Sequence, residues 1–435
     1  MSFDALSNRP QRIAVIGGGI SGMAAAWRLA PQHRVTLFEA APRLGGHART
    51  VIAGKRGDQP VDTGFIVFNY ANYPHLTAMF RDLDVPVERS DMSFGATIDN
   101  GRVEYGLQTP AALIGQRRNL ARPGFAAMVR DILRFNARAE AVVAAHPEMS
   151  MGDLMRHLRL GSWFRDYYLK PISGAIWSTA PDRIEDFPAA ALVRFFRNHA
   201  LLSTTGQHQW WTVSGGSVEY VRRLEASIIA RGVTIRTGAP VQAVRRDGPV
   251  PQVLTPGQEP EAFDQVILAC HSDEALVLLA QPSEEEQAAL TAVRYQDNHA
   301  VLHCDAAQMP RRRACWSSWV YKADTRQRQQ AIGVTYWMNK LQNIDESDPL
   351  FVSLNPVVPV REEAIYDEKT FRHPVFDAAA LEAQNRIGLI QGQNATWYAG
   401  AWLRHGFHED GFASAMRVVR ALDPLPEPAG RQAVA

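Results

Sequence analysis

The sequence predicts an α/β fold in which a parallel-sheet domain is assembled from separate stretches of chain, with an α+β domain and a helical cap inserted between them. Three observations predict it. Residues 12–40 read as strand, glycine turn, helix and strand. Residues 206–290 return to short β-branched runs after a long helical stretch. A last strand at 396–400 and a helix at 411–422 close the chain.

Each element has a local reason. Residues 12–17 (RIAVIG) are a β-branched run ending in glycine, the pattern of a buried parallel strand. Residues 20–30 are alanine-rich and open directly from the glycines, which predicts a helix, and 34–40 (RVTLFEA) predict a second strand. Residues 88–107 read as short strands around an Asn100-Gly101 turn. Residues 110–205 read as mostly helical, with breaks expected at Pro123, Pro147, Pro171 and Pro181. A helix is expected at 215–231, then strands at 233–236, 240–246 and 265–269. Aromatic-rich strands are expected at 299–304, 314–321 and 332–338. The first domain thus takes 1–65, 206–290 and 386–422, and the inserted one takes 66–205 and 291–385. The tail, 423–435, has the composition of a disordered segment.

Composition narrows the function. A chain of 435 residues suits two or three domains, and 46% apolar residues supply large cores. Net charge is +1, from 46 basic and 45 acidic side chains, which argues against a nucleic-acid partner. The cysteines, Cys270, Cys304 and Cys315, lack CxxC spacing, so neither a disulfide framework nor a metal site is expected. There is no apolar leader before residue 12 and no run of the roughly 18–20 apolar residues that span a bilayer, so a cytoplasmic protein is expected.

The glycine turn carries the first chemistry. Gly17, Gly19 and Gly22 form G-x-G-x-x-G between strand and helix. In this context Gly17 allows the tight turn, Gly19 lets backbone approach a pyrophosphate, and Gly22 lets helix and sheet pack closely. Ile20 and Ser21 open the helix whose free N–H groups would face the phosphates. Glu39, with Ala40 after it, ends the second strand 22 residues beyond Gly17, where a carboxylate accepts from ribose hydroxyls. Arg43, Gly45, Gly46 and His47 follow at once. A second glycine pair this close brings more backbone to the dinucleotide, and Arg43 and Arg49 are positioned to offset phosphate charge. Nicotinamide dehydrogenases have no need of this second element, so a Rossmann-like FAD-binding domain is expected.

At these motifs the chain resembles the flavin amine oxidase and phytoene desaturase superfamily. Further landmarks match along residues 12–420. Val61-Asp62-Thr63-Gly64, continuing into Phe65 and Ile66, resembles the segment beneath the flavin ring. Gly215-Gly216-Ser217 resembles the turn that opens the returning helix, and Val241 sits where family backbone meets adenine. Tyr398-Ala399-Gly400 with Asp410-Gly411-Phe412 resembles the C-terminal stretch closing over the flavin. His47 stands where the family usually has arginine, and Ala401 where many members have glutamate. No cysteine lies near the C-terminal stretch, so the resemblance implies non-covalent FAD.

The substrate side is less explicit. Residues 65–70 (FIVFNY) are either an apolar wall at the flavin, which would suit a hydrocarbon, or an ordinary core strand. Among Tyr167, Tyr168, Trp177, Trp210, Trp211, Trp316, Trp319, Tyr336 and Trp337, two would suffice for an amine oxidase's aromatic cage. Arg130, Arg134 and Arg138 form a basic stripe at helical spacing, either a solvated face or a helix lying peripherally on an anionic membrane. The pieces GGHART, VDTGFIVFNY, YYLKPISGAIWS and GFHEDGF resemble a bacterial branch of FAD-binding oxidoreductases. That branch is often encoded beside cyclopropane-fatty-acid-synthase-like methyltransferases, and one group is implicated in desaturating phospholipid acyl chains toward furan fatty acids. The resemblance implies an acyl or other apolar substrate, hydride loss to the flavin, and oxygen or a quinone as electron acceptor. His47 and His208 are the candidate catalytic bases. The alternatives are an amine oxidase, a flavin-dependent isomerase and a non-catalytic accessory flavoprotein.

Overall fold

In the computed structural model, which describes residues 9–177, 181–198, 208–324 and 333–423, five parallel strands form one sheet. Their order is Thr234–Arg236, Arg34–Phe38, Arg12–Ile16, Gln265–Leu268 and Thr396–Tyr398. Three distant stretches of chain therefore supply one sheet. Ile13, Ala14 and Val15 are fully buried, as a parallel strand covered on both faces requires. Helices Ile20–Leu29, Val218–Ala230 and His408–Leu422 cover one face through Met23, Trp27, Leu224 and Phe412. On the other face Ala14, Ile16 and Leu268 pack with Val244, Ala275, Leu290 and Ile387. The chain moves to opposite sides of the central strand Arg12–Ile16, which places a switch-point crevice at its carboxyl end.

A second, seven-stranded sheet runs in the order Ile365–Val375, Arg294–His303, Phe351–Leu354, Gly333–Trp337, Trp319–Ala323, Phe94–Ile98 and Val103–Gly106. Its pairs are antiparallel except Trp319–Ala323 with Phe94–Ile98. Helices between 110 and 198 cap one end of it, burying Phe125, Phe135, Phe164 and Leu192 against Tyr105, Tyr321 and Val334. Among the described residues no helix is long and apolar enough to cross a membrane.

Several boundaries differ from expectation. The closing helix begins at His408, three residues before Gly411. The helix expected from 215 begins at Val218, because Gly215 and Gly216 have φ of +82° and +88°. The run at 314–321 is a 3₁₀ turn, Arg313–Cys315, before the strand Trp319–Ala323. Within the stretch assigned to the inserted domain, a helix that the sequence reading did not identify, Pro74–Asp82, shares the core of the first helix through Leu76, Met79 and Phe80. Residues 199–207 and the tail from 424 lie outside the described residues.

Pro171 does not break its helix. It is the second residue of Lys170–Trp177, which follows a π-helical turn, Arg165–Leu169. A proline removes the donor for the carbonyl four residues earlier, here Tyr167. The buried Tyr105 hydroxyl donates to that carbonyl instead. The carbonyl left without a backbone donor by the proline thus has a long-range side-chain partner, and the next residue, Ile172, lies on the wall of the main cavity.

Candidate active site

A cavity of about 950 Å³ extends from the carboxyl end of the central strand to the face of the seven-stranded sheet. At the strand end, a Cβ on Gly17 would lie 2.6 Å from the Ala269 carbonyl oxygen. A Cβ on Gly22 would lie 1.8 Å from the Gly17 carbonyl oxygen, so helix and turn touch directly. Gly19 differs: nothing stands within 4 Å of its Cβ position. The turn is closed on its protein side and open toward the cavity, with the N-terminus of helix Ile20–Leu29 facing that opening. This is an anion cradle built from backbone.

Of the residues expected to bind cofactor, Gly17, Gly19, Ile20, Ser21, Glu39, Ala40, Gly46, His47, Thr63, Gly64, Phe65, Ile66, Val241 and Gly400 line this cavity. Glu39 is fixed at its rim: Oε2 accepts from the Gly18 N–H at 2.6 Å and Oε1 from Ala41 at 2.7 Å. Each oxygen keeps a lone pair for a ribose hydroxyl. Gly45 donates its N–H to the Gly18 carbonyl at 2.9 Å, joining the two glycine turns.

The others sit behind the wall. Arg43 turns back into its own loop and donates to the carbonyls of Leu44, Gly46 and Ala48. Arg49 pairs with Asp367 at 2.5 Å. Neither arginine lines the cavity, so the expected phosphate countercharge is not where the motif placed it; loop carbonyls and a nearer carboxylate claim both guanidiniums. Gly22 and Gly411 are packing glycines, a Cβ on Gly411 lying 2.8 Å from Ser21 Oγ. Asp410 accepts from the N–H groups of Phe407 and His405 and so caps the closing helix. Phe412 is buried in the core of the first domain. His208 is not on the cavity wall, which removes it from the candidate bases.

Three cavity histidines escaped the sequence reading: His271, His373 and His408. His271 follows strand Gln265–Leu268 by three residues, and the rule that ligands bind beyond strand carboxyl ends would have singled it out. His408 lies in the quoted GFHEDGF piece, and His373 carries no sequence signal. Burial holds His47 and His271 down to about 4, and His373 and His408 to about 3. All four are neutral imidazoles near pH 7. His408 Nε2 meets the Tyr220 hydroxyl at 2.5 Å, and its ring stacks on Phe65 at 4.1 Å. That contact fixes Phe65 on the cavity wall.

Beyond these rings the wall is mostly apolar, with Ser93 and the Tyr336 hydroxyl among its polar groups. Met92, Phe94, Ile172, Trp210, Trp319, Tyr336 and Leu354 form a chamber continuous with Phe65, Ile66 and Val67. Trp319 and Tyr336 meet edge to face at 5.1 Å. Of the candidate cage aromatics, Trp210, Trp319 and Tyr336 line the cavity. Tyr167 and Tyr168 lie in the helical core, Trp316 and Trp337 pack on Phe351, and Trp211 packs against Tyr70. The Trp177 side chain lies outside the described residues. The carboxylates on the cavity wall, Glu39, Asp273 and Glu274, belong to the strand-end region and not to this chamber.

These residues fit a flavin dinucleotide. The open face at Gly19 admits a pyrophosphate, the Glu39 rim meets a ribose, and the buried Nε2 of His47 has no protein partner. The sequence pattern of the flavin containing amine oxidoreductases matches residues 20–305. The chain belongs to that family, and its cofactor is therefore a flavin. Carotenoid phi-ring synthase of Chlorobaculum tepidum is 27% identical over 277 residues, 57% of this chain and 40% of the relative. Coproporphyrinogen III oxidase of Mycobacterium tuberculosis is 38% identical over 91 residues, 20% of this chain and 19% of that enzyme. The chain thus matches well under half the length of these relatives. Among solved structures, the CLA-producing fatty acid isomerase from P. acnes superposes with a TM-score of 0.67 at 14% identity, covering 94% of this chain and 98% of that one. Cyclohexylamine oxidase from Brevibacterium oxydans superposes with a TM-score of 0.67 at 13% identity, covering 95% and 98%. At these identities the structural likeness shows the shared fold.

Proposed function

We propose that the protein is an FAD-dependent oxidoreductase that removes hydrogen from an unsaturated fatty acyl chain of membrane phospholipid. The observation that carries this reading is the apolar chamber: seven side chains without a carboxylate, opening onto the Phe65–His408 wall. An ammonium substrate would have to be desolvated there without a counter-ion, which is costly. An acyl chain gains burial instead, at about 25 cal/mol per Å² of apolar surface. Non-covalently bound FAD would supply the hydride acceptor and pass electrons to oxygen or a quinone.

The chain's own residues orient and dry the site. Trp319 and Tyr336, packed edge to face, supply aromatic wall for an acyl chain, and Ile172 and Leu354 bound the chamber. His47 is a poor general base, because an imidazole held to about 4 accepts a proton weakly near neutrality; a cofactor contact is the better reading of its place. Contact with a lipid surface belongs to the same proposal. Helix Pro123–Ala145 exposes Leu133 beside Arg130. Part of the basic stripe is otherwise engaged: Arg130 pairs with Asp131, and Arg134 caps carbonyls of Leu158 and Arg159.

The test is anaerobic mixing of holoprotein with vesicles of phospholipid bearing unsaturated acyl chains. Flavin bleaching with these vesicles, but not with saturated ones or with polyamines, is expected. Bleaching by amines alone would establish the amine oxidase alternative. Product formed without net flavin reduction or oxygen use would establish an isomerase, and inertness to every lipid would indicate an accessory flavoprotein.

A further inference from the structure

We propose that His47, His271 and His373 form the recognition site for the cofactor's diphosphate, and that they take up protons from solvent as it binds. The inference rests on the FAD reading above. Gly46 stacks on Gly19, a Cβ on it lying 3.1 Å from the Gly19 Cα, which sets His47 beside the open anion cradle. His271 stands on the other side of the Gly17 turn, two residues beyond Ala269. The His47 ring centroid is 5.6 Å from that of His373 and 6.0 Å from that of His271. Nε2 of His47 and Nδ1 of His271 are buried and have no partner. The three rings are not arranged as a metal's ligands: no such group of His, Cys, Asp or Glu occurs among the described residues.

The cation inventory gives the argument its direction. A flavin dinucleotide's diphosphate carries two negative charges. Among the described residues lining the cavity, Arg372 is the one lysine or arginine, and it already pairs with Asp273 and approaches Glu274 and Asp297. Arg43 and Arg49 are engaged behind the wall. The remaining countercharge near the cradle is titratable imidazole. Burial and mutual repulsion keep these rings neutral without a ligand, with His47 and His271 at about 4. A dianion at hydrogen-bonding distance reverses that balance and favours the imidazolium.

The groups facing the trio are few. His47 meets Arg43 across its loop, the Arg372 backbone, and the rings of Phe371 and His408. His271 meets Asp273, Glu274, Arg372 and the stacked Tyr295. His373 Nδ1 accepts from the Asn298 side-chain amide at 3.0 Å. Glu39 stands at the cradle with its carboxylate held by backbone. The nearby carboxylates are thus bound to Arg372, to a helix terminus or to backbone N–H groups.

The experiment titrates apoprotein with FAD, by fluorescence quenching and by calorimetry, from pH 6.5 to 8.5 at fixed ionic strength. Calorimetry in two non-phosphate buffers of different ionisation enthalpy counts the protons. At least one proton should be taken up per FAD, with the Kd rising about tenfold per pH unit across the window. His47→Arg, which supplies a permanent cation, should keep affinity at pH 8.5 and flatten the slope by about one proton; His373→Gln should weaken binding and flatten the slope without changing the fold by circular dichroism. FAD binding with a pH-independent Kd and no proton uptake would overturn this inference and leave the cofactor reading intact. Absence of FAD binding at every pH would overturn both.

Discussion

Replacing Gly19 by valine separates the two jobs of the glycine turn. Nothing occupies the 4 Å around the Gly19 Cβ position, and its φ of −75° is open to any residue. The free protein therefore has room for the side chain, and the loss of a good helix N-cap residue should cost no more than about 1 kcal/mol. The added methyls project into the space a diphosphate must enter. Two backbone hydrogen bonds to a charged group, at roughly 1.5–3 kcal/mol each, would be lost, raising the FAD Kd by about 10²–10⁴-fold. Gly22→Ala should do the reverse. Its Cβ would sit 1.8 Å from the Gly17 carbonyl oxygen, so the backbone of turn and helix must shift apart and thermal stability should fall. Thermal unfolding and flavin titration of the two variants decide the matter. A folded Gly19→Val protein with unchanged flavin affinity would refute the cradle.

Three more outcomes are expected. Apoprotein should be acid-labile: the folded state holds His47 and His271 at about 4 and His373 and His408 at about 3, below the ordinary 6.5, so the unfolded chain binds more protons. The stability these four groups contribute is present above about pH 6.5 and is lost as pH falls toward 4, on the order of 4 kcal/mol over the first unit, partly offset by Asp62 and Glu409, which burial raises to about 6 and about 7 and which therefore bind protons in the folded state; a denaturation midpoint no lower at pH 5.5 than at 7.5 would contradict it. Tyr105→Phe should cost about 1–3 kcal/mol, because it leaves the Tyr167 carbonyl under Pro171 without its donor; urea unfolding measures this, and an unchanged midpoint would show that the helix does not need it. Met92→Trp should narrow the chamber and slow lipid-dependent flavin reduction tenfold or more, about 1.4 kcal/mol, with flavin content preserved; an unaffected rate would place the substrate elsewhere.

What the sequence made legible was local. The run from Arg12 through Gly22 to Glu39 specifies strand, turn, helix and strand by neighbour-to-neighbour rules, and the structure places those elements there. Pro171 misled because its compensation, the Tyr105 hydroxyl, comes from a strand 62 residues before the Tyr167 carbonyl it serves. Arg43 misled because a motif gives an arginine's position along the chain but not which carbonyls it will cap. The apolar chamber was out of reach: Met92, Ile172, Trp319 and Leu354 share no periodicity and meet only through the seven-stranded sheet and its helical cap. The histidines around the cradle are scattered from 47 to 373 for the same reason.

The most direct measurement is the flavin content of purified protein after acid precipitation. One FAD per chain should be recovered in the supernatant, leaving a colourless pellet. A protein that carries no flavin and takes up none when FAD is added, or a pellet that stays yellow, would contradict a dinucleotide held reversibly in the crevice above Gly17 and Gly19.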